Sequence, residues 1–478
     1  MILWLILCLP LAGALSAWYL PRREWLAPAS LLTTALLFIL SVAAVLQVVA
    51  GQPVVALSGW LALDGLGALI LLLVAWVSTL AALYSWGYLQ QHPAGPRQQR
   101  LYYVNLNLFV FALVAVPSLA EPNLVWMAIE LTALFSVLLV AYENTHEALE
   151  AAWKYIALMF MGAAIALLGF LVLFWAFRNA GGDGAYSWQS LVAVAPGLSP
   201  VLVTTAFLLI LVGFGAKVGL VPLHTWLPDA HSQAPAAACA LLSGVKTTVA
   251  LYVIARLLPL LPATATAPWL ELFGMLSLAV AALLMLRVQD YKRLFAFSTV
   301  EHMGIVLIAL GMGSAAADYA AMTQLISHSV TKSFCFFSAG AVSMLAGSHK
   351  ISEVRGLIHT RPEIAVALLF GALAIAGAPP LAVFLSEFRI IKAGLGHGDY
   401  LLVVALILFI GVAFFALLWH VNRMTFGPPA AGAGRVPLPW SIRLTLWLGA
   451  VPVLALGFWQ PEPLQRLAQL AAASLRLP

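Results

Sequence analysis

The sequence predicts an all-α, polytopic membrane protein of about fourteen spanning helices, the seventh and twelfth of them broken. Three observations predict it. Apolar residues make up 63% of the 478 positions and charged residues only 9%. A soluble domain carries close to a quarter charged residues, so that class is excluded. The mean hydropathy is +1.01. The apolar runs are uninterrupted over about 18–25 residues and show no two-residue alternation, which is the pattern of spanning helices and not of barrel strands. Five ionisable residues, Glu130, Lys217, Lys246, Lys332 and Glu387, nevertheless lie inside such runs. Unpaired, each would cost about 2.5–3.5 kcal/mol at mid-bilayer, so they must be paired, hydrated or neutral.

Reading between polar breaks places spans at 2–20, 26–50, 62–89, 101–120, 122–142, 152–177, 201–221, 235–258, 266–287, 295–312, 319–346, 363–394, 400–425 and 441–459, in one domain over 1–478. The first run lacks a basic flank and a small-residue cleavage site, so it is expected to be a retained span and not a removed leader. Span seven runs into Gly213, Gly215, Gly219 and Pro222, and span twelve carries Gly377-Ala378-Pro379-Pro380. Proline removes a donor from the helical ladder, and such breaks are tolerated where backbone lines a cavity or faces protein. Corresponding breaks in two halves of a bundle point to an ion path. Residues 178–200 are expected to form the longest extracytoplasmic loop, and the chain after Pro461 reads as a short surface helix.

With the first residue outside, fourteen of the 23 basic residues fall in inside loops, Arg22, Arg23, Lys292, Arg293 and Arg435 among them. Five fall outside, and Lys217, Lys246, Lys332 and Arg389 lie within spans. The positive-inside bias therefore predicts both termini on the extracytoplasmic face of the cell's inner (plasma) membrane. Cys8, Cys239 and Cys335 have unrelated spacing and none of the paired motifs that hold zinc or iron–sulfur clusters, so no metal or redox cofactor is expected. There is no phosphate-binding GxxxxGK[ST] loop and no concentrated basic patch, so neither nucleotide hydrolysis nor nucleic acid is expected.

The candidate chemistry lies in the stranded charges. Glu130 has only apolar neighbours within its span, so it stays protonated or meets a cation from another helix. Lys217 is the natural partner, as a static salt bridge or as a group that loads and unloads a proton. His224, Asp229 and His231 sit in the Pro-rich stretch 222–235, which reads as a loop dipping into the bundle. Its histidines are either proton carriers or helix caps. His328 and Lys332 share a helical face with Gln324 and Thr331 nearby, a polar stripe suited to a hydrated path. Glu387 follows the second break with Arg389 beside it, which either holds it ionised or gates it. Lys292 and Arg293 read most simply as orientation signals, and Glu301 and His302 as groups a turn or two inside the membrane. Asp64, Glu143, Glu147 and Glu150 read as solvated interfacial acids.

Three stretches carry a resemblance: Glu150-Ala-Ala-Trp-Lys-Tyr155, His224-Thr-Trp-Leu-Pro-Asp-Ala-His-Ser-Gln-Ala-Pro235 and Asp290-Tyr-Lys-Arg-Leu-Phe-Ala-Phe-Ser-Thr-Val-Glu-His-Met-Gly304. They resemble the antiporter-like membrane subunits of respiratory complex I, Mrp cation/proton antiporters and group 4 hydrogenases. The Val300–Gly304 and Pro379–Phe388 segments are most similar to the hydrogenase-4 F-type branch. The resemblance implies Glu130 as the family's carboxylate of the fifth helix, Lys217 as the lysine of the seventh, His328 and Lys332 as a central relay, and Glu387 as the terminal exchange residue. It departs at Lys246, because relatives carry the eighth-helix lysine nearer Thr248. Two residues are about 200° of helical turn, so Lys246 would face away unless the helix is irregular.

The resemblance further implies a proton-translocating subunit coupled to other membrane subunits and a peripheral redox or other soluble subunit, with no cofactor of its own and any oxidoreductase catalysis in its partners. An Mrp-type antiporter subunit and the membrane partner of an inorganic-carbon uptake complex are the alternatives. The roughly 20 residues after the last span are expected to be too few for the long lateral helix of some relatives.

Overall fold

The computed structural model describes residues 2–20, 22–91, 95–428 and 437–476; Arg435 of the inside-loop count lies outside these. In chain order the elements are α1 (Ile2–Tyr19), α2 (Leu26–Val49), a small antiparallel pair β1 (Val54–Ala56) and β2 (Leu61–Leu63), α3 (Gly65–Gln91), α4 (Pro96–Ser118), α5 (Pro122–Val140), α6 (His146–Asn179), α7 (Trp188–Ala193) and α8 (Pro200–Val218). Then come α9 (Trp226–Gln233), α10 (Ala236–Leu241), a π-helical turn (Leu242–Lys246), α11 (Thr247–Ala255), α12 (Ala263–Met285), α13 (Tyr291–Gly311) and α14 (Ala315–Ala346). The chain closes with α15 (Leu357–Thr360), α16 (Pro362–Ile375), α17 (Ala382–His397), α18 (Tyr400–Thr425), α19 (Trp440–Phe458) and α20 (Glu462–Ala473).

Thirteen helices among the described residues are long and apolar enough to cross a membrane. The twelfth expected span is divided into α16 and α17, which accounts for its absence from that number. The helix ends obey local chemistry. Glu121 caps α5 by accepting from the Asn123 and Leu124 N–H groups, with Pro122 in the first turn. Thr145 caps α6, Asp290 caps α13 and Ser314 caps α14 in the same way.

The span from α10 to α11 and helix α13 are buried along almost their whole length and form the central column, while α1, α2, α6, α18 and α19 present large apolar side chains outward. Two outer contacts depend on small residues. Helices α6 and α8 touch at Gly162 and Gly213, and α12 and α13 touch at Gly274 and Gly304. Lipid offers no hydrophobic drive to join helices, so close backbone approach at glycine supplies the packing. A Cβ on Gly304 would lie 2.6 Å from the Gly274 carbonyl oxygen.

Both expected breaks are present. Helix α8 stops at Gly219, whose φ of +88° is left-handed backbone suited to glycine, and seven residues later α9 begins. Helix α16 ends before Gly377, also left-handed at φ +76°, and α17 resumes at Ala382. The orphaned C-terminal carbonyls of α9 are met by Lys292, which donates to Ser232 O at 3.0 Å and Ala234 O at 2.7 Å. Lys292 is buried, so beyond any part in orientation it clamps the first break. Arg293 beside it pairs with Asp229 at 2.9 Å.

Three interfacial acids are likewise engaged, and not simply solvated. Asp64 forms a two-pronged ion pair with Arg256, Glu143 accepts from Tyr88, and Glu150 pairs with Lys154 at 2.8 Å. Because α13 sits so close to α12, Gly304→Leu should destabilise the fold by about 1–3 kcal/mol through overpacking. Thermal unfolding in detergent should show a lowered Tm, with Gly184→Leu, in an open loop position, unchanged.

Candidate functional site

A band of buried titratable side chains runs across the middle of the bundle from α5 to α17. It begins at Glu130 on α5, whose carboxylate Oε1 lies 2.9 Å from the Lys217 ammonium at the end of α8. Lys217 is fully buried, and the Glu130 side chain is 16% exposed. The break places Lys217 in the last turn of α8, where the carbonyl end of a helix favours a cation.

Next is Lys246, on the π turn between α10 and α11. A π turn takes up an extra residue, so every side chain beyond it is rotated relative to an uninterrupted α-helix. This irregularity brings Lys246 into the band, resolving the register problem that its spacing poses. Its ammonium donates to the Tyr155 hydroxyl of α6 and stands 4.3 Å from the Tyr155 ring centre and 4.9 Å from that of Trp226. Glu130 and Lys217 lie within electrostatic reach of it.

His231, on α9, lies within electrostatic reach of both Lys246 and Lys332. Its Nδ1 is 2.8 Å from the Leu227 carbonyl, which can only accept, so Nδ1 carries the hydrogen and Nε2 is buried without a hydrogen-bond partner among the described residues. His328, on α14, repeats this arrangement: Nε2 donates to Ser243 O in the π turn at 3.2 Å, and Nδ1 is buried and unpartnered among the described residues. Lys332, one helical turn on, donates to Phe295 O at 2.8 Å and to Ser298 Oγ of α13. Glu301 of α13 is buried within its electrostatic reach.

The His328 ring lies 5.4 Å from that of His302. His302 Nε2 donates to the Ile375 carbonyl at 2.9 Å, one of the carbonyls freed where α16 ends. Its Nδ1 then accepts from Gln324 Nε2 at 2.8 Å, and Gln324 Oε1 accepts from Ser386 Oγ at 2.5 Å. The buried Glu387 carboxylate stands 4.0 Å from the same Nδ1 and packs against Gly377, where a side chain would displace it. A proton arriving at His302 Nδ1 would thus meet a carboxylate across the second break.

The structure therefore brings together Glu130, Lys217, Lys246, His231, His328, Lys332, Glu301, His302 and Glu387. It does not bring His224 or Asp229 into the band. His224 is half-buried on the turn before α9 with its ring 6.3 Å from Phe297, and Asp229 joins an interfacial ion cluster with Lys154 at 3.2 Å and Arg293. The expected Arg389 influence on Glu387 is corrected. Its guanidinium turns away to Gln460 at 3.4 Å and lies over the Tyr319 ring, since two residues on a helix point about 200° apart.

Sequence reading missed Tyr155, Trp226, Ser136, Ser298 and Ser386 as site residues. Only Tyr155 and Trp226 left a signal, by lying inside the motif stretches. No group of three or more metal-ligating side chains occurs among the described residues.

Comparisons with known proteins place the chain in a family. Residues 122–412 match the family described as NADH:quinone oxidoreductase/Mrp antiporter, TM, and residues 4–116 match NADH-ubiquinone oxidoreductase chain 4, amino terminus. The chain is 36% identical over 408 residues to the hydrogenase-4 component F homolog of Methylacidiphilum infernorum, covering 83% of this chain and 85% of that one. It is 29% identical over 480 residues to NADH-quinone oxidoreductase subunit N of Desulforudis audaxviator, covering 95% and 93%. Among solved structures it superposes on a chain of the archaeal membrane-bound sulfane sulfur reductase with a TM-score of 0.88 and 25% identity, over 99% of this chain and 97% of that one.

Fold, buried band and relatives together define an antiporter-like, proton-translocating membrane subunit of an energy-converting complex, one that works beside other membrane subunits. The chain belongs to the NADH:quinone oxidoreductase/Mrp antiporter transmembrane family.

Because Arg389 faces away from Glu387, Arg389→Ala should leave proton translocation within about twofold of wild type, whereas Glu387→Gln, which cannot ionise, should reduce it about tenfold or more. Quenching of a pH-sensitive dye in vesicles carrying the intact complex measures both.

Proposed function

We propose that this chain is the proton pump of a hydrogenase-4-like assembly, using the buried band as its path and drawing energy from a peripheral redox subunit. The observation that carries the reading is the Glu130–Lys217 pair at 2.9 Å standing at one end of a series of acids and bases that are otherwise buried. A scaffold needs no such series, because replacing a buried ion pair with apolar side chains is often neutral or stabilising.

Like charges repel strongly in a low-dielectric interior, so the charge on Lys217 governs whether Lys246 holds a proton. While Glu130 neutralises Lys217, Lys246 is free to load. When the pair opens, the exposed Lys217 charge drives the proton onward toward His231, His328 and Lys332. The unpartnered ring nitrogens of His231 and His328 are the lone pairs that receive it, His302 Nδ1 passes it, and Glu387 releases it beyond the second break. The inner (plasma) membrane, with both termini extracytoplasmic, suits the distribution of basic residues between loops. His224 and Asp229 lie outside the band and take no part in this path.

Lys217→Ala and Glu130→Ala should each lower proton uptake by about tenfold or more while the complex assembles, because each removes the charge that controls loading. Uptake assayed in vesicles containing the intact complex tests this, and unchanged uptake with normal assembly would identify the pair as a static brace.

A further inference from the structure

Lys217 and Lys246 are both buried ammonium groups, yet their surroundings differ in kind. Lys217 has a carboxylate at 2.9 Å. Lys246 has no carboxylate partner among the described residues; the side chains in direct contact with its ammonium are neutral. The Tyr155 hydroxyl accepts from it, the Tyr155 and Trp226 rings face it at 4.3 and 4.9 Å, and Met159 Sδ lies at 3.6 Å. The two rings are set edge to face with centres 4.9 Å apart, so each fixes the other. Ring faces and a hydroxyl oxygen stabilise a cation without forming an ion pair.

The Tyr155 hydroxyl does not end the chain of contacts. It lies 2.5 Å from Ser136 Oγ on α5, and Ser136 donates to the Thr132 carbonyl at 2.6 Å. Thr132 stands two residues from Glu130 on the same helix. With Lys246 protonated, every donor therefore points one way: ammonium to Tyr155, Tyr155 to Ser136, and Ser136 to the α5 backbone. An unprotonated Lys246 presents a lone pair instead of a donor. The Tyr155 hydroxyl can then turn to donate to it, and Ser136 can turn to donate to Tyr155. No bond to hydrogen is broken in that rotation, and no proton leaves the hydroxyls.

We propose that Tyr155 is the positioning residue for Lys246: its ring and hydroxyl hold the ammonium in place of a carboxylate, and the Tyr155–Ser136 hydroxyl pair reverses its donor direction each time Lys246 gains or loses a proton. This deepens the proton-pump reading and rests on it. A carboxylate partner would trap the charge, whereas a neutral cage lets Lys246 release its proton without leaving an anion behind. The charged and titratable groups facing Lys246 are Glu130 from α5, Lys217 from α8 and His231 from α9, and Tyr155 is the group α6 contributes. Lys154, next in sequence to Tyr155, pairs with Glu150 at 2.8 Å and with Asp229 at 3.2 Å, tying this part of α6 to the broken helix that carries Trp226.

The test is proton uptake as a function of pH in vesicles carrying the intact complex. Tyr155→Phe keeps the ring and removes only the hydroxyl, so assembly should be normal, while uptake falls about tenfold, as expected for one lost hydrogen bond to a charged group. The pH profile should move by about half a unit or more, because the hydroxyl distinguishes the two protonation states of Lys246. Ser136→Ala should move it in the same direction by a smaller amount. Tyr155→Phe should add nothing in a Lys246→Met background, where there is no ammonium to hold. Wild-type uptake and an unmoved profile in Tyr155→Phe overturn the proposal. If that variant fails to assemble, an unmoved profile in Ser136→Ala overturns it. Absence of proton uptake by the wild-type complex would instead sink the pump reading on which the proposal rests.

Discussion

The whole arrangement depends on the penalty for placing charge where water is scarce. A buried ion costs several kcal/mol unless something satisfies it. Here Lys217 is satisfied by Glu130, Lys246 by a hydroxyl and two rings, Lys332 by a carbonyl and a hydroxyl, and His302 by a carbonyl at a helix end. The four solutions differ in chemistry, so the four groups differ in how readily they hold a proton. A transport path requires such differences, because sites of equal and strong affinity would keep what they bind.

The breaks in the helices follow from the same constraint. An intact helix engages its interior carbonyls in its own ladder and leaves a buried polar group only their second lone pairs, as Lys332 finds at Phe295. Ending α16 before Gly377 frees the Ile375 carbonyl for His302 and opens space in which the Glu387 carboxylate fits. Ending α8 at Gly219 leaves Lys217 at a helix terminus and lets α9 supply Trp226 and His231 to the interior. The π turn does comparable work more economically, rotating Lys246 inward and turning the Ser243 carbonyl to His328. Backbone irregularity inside the bundle is thus one means by which polar side chains are accommodated, at His302, His328 and Lys246.

Much of this was legible in the sequence because the solvent imposes it. Apolar runs of spanning length specify the helices, and Gly219-Leu-Val-Pro222 and Gly377-Ala-Pro-Pro380 specify where two of them stop. Glu130 could be assigned Lys217 because a carboxylate alone in an apolar span requires a cation from elsewhere. What could not be read is whatever depends on rotation about a helix axis. The π turn carries no distinctive residue, so the inward face of Lys246 was hidden. Arg389 looked like a partner of Glu387 by adjacency, although helical geometry sends the two apart. Lys292 looked like a surface charge because α9, whose carbonyls it meets, is remote in sequence. The hydroxyls of Ser136, Ser298 and Ser386 are ordinary residues until tertiary packing sets them beside a tyrosine, a lysine and an amide respectively.

The central claim is that these groups form one file and not several independent buried pairs. Charge displacement during a single turnover of the complex, recorded electrically on a supported membrane with Lys332→Ala in the middle of the file, tests it most directly. A connected file predicts that the fast early displacement on the Glu130 side survives and that the later displacement associated with Glu387 disappears. Full transmembrane displacement at the wild-type rate would contradict it.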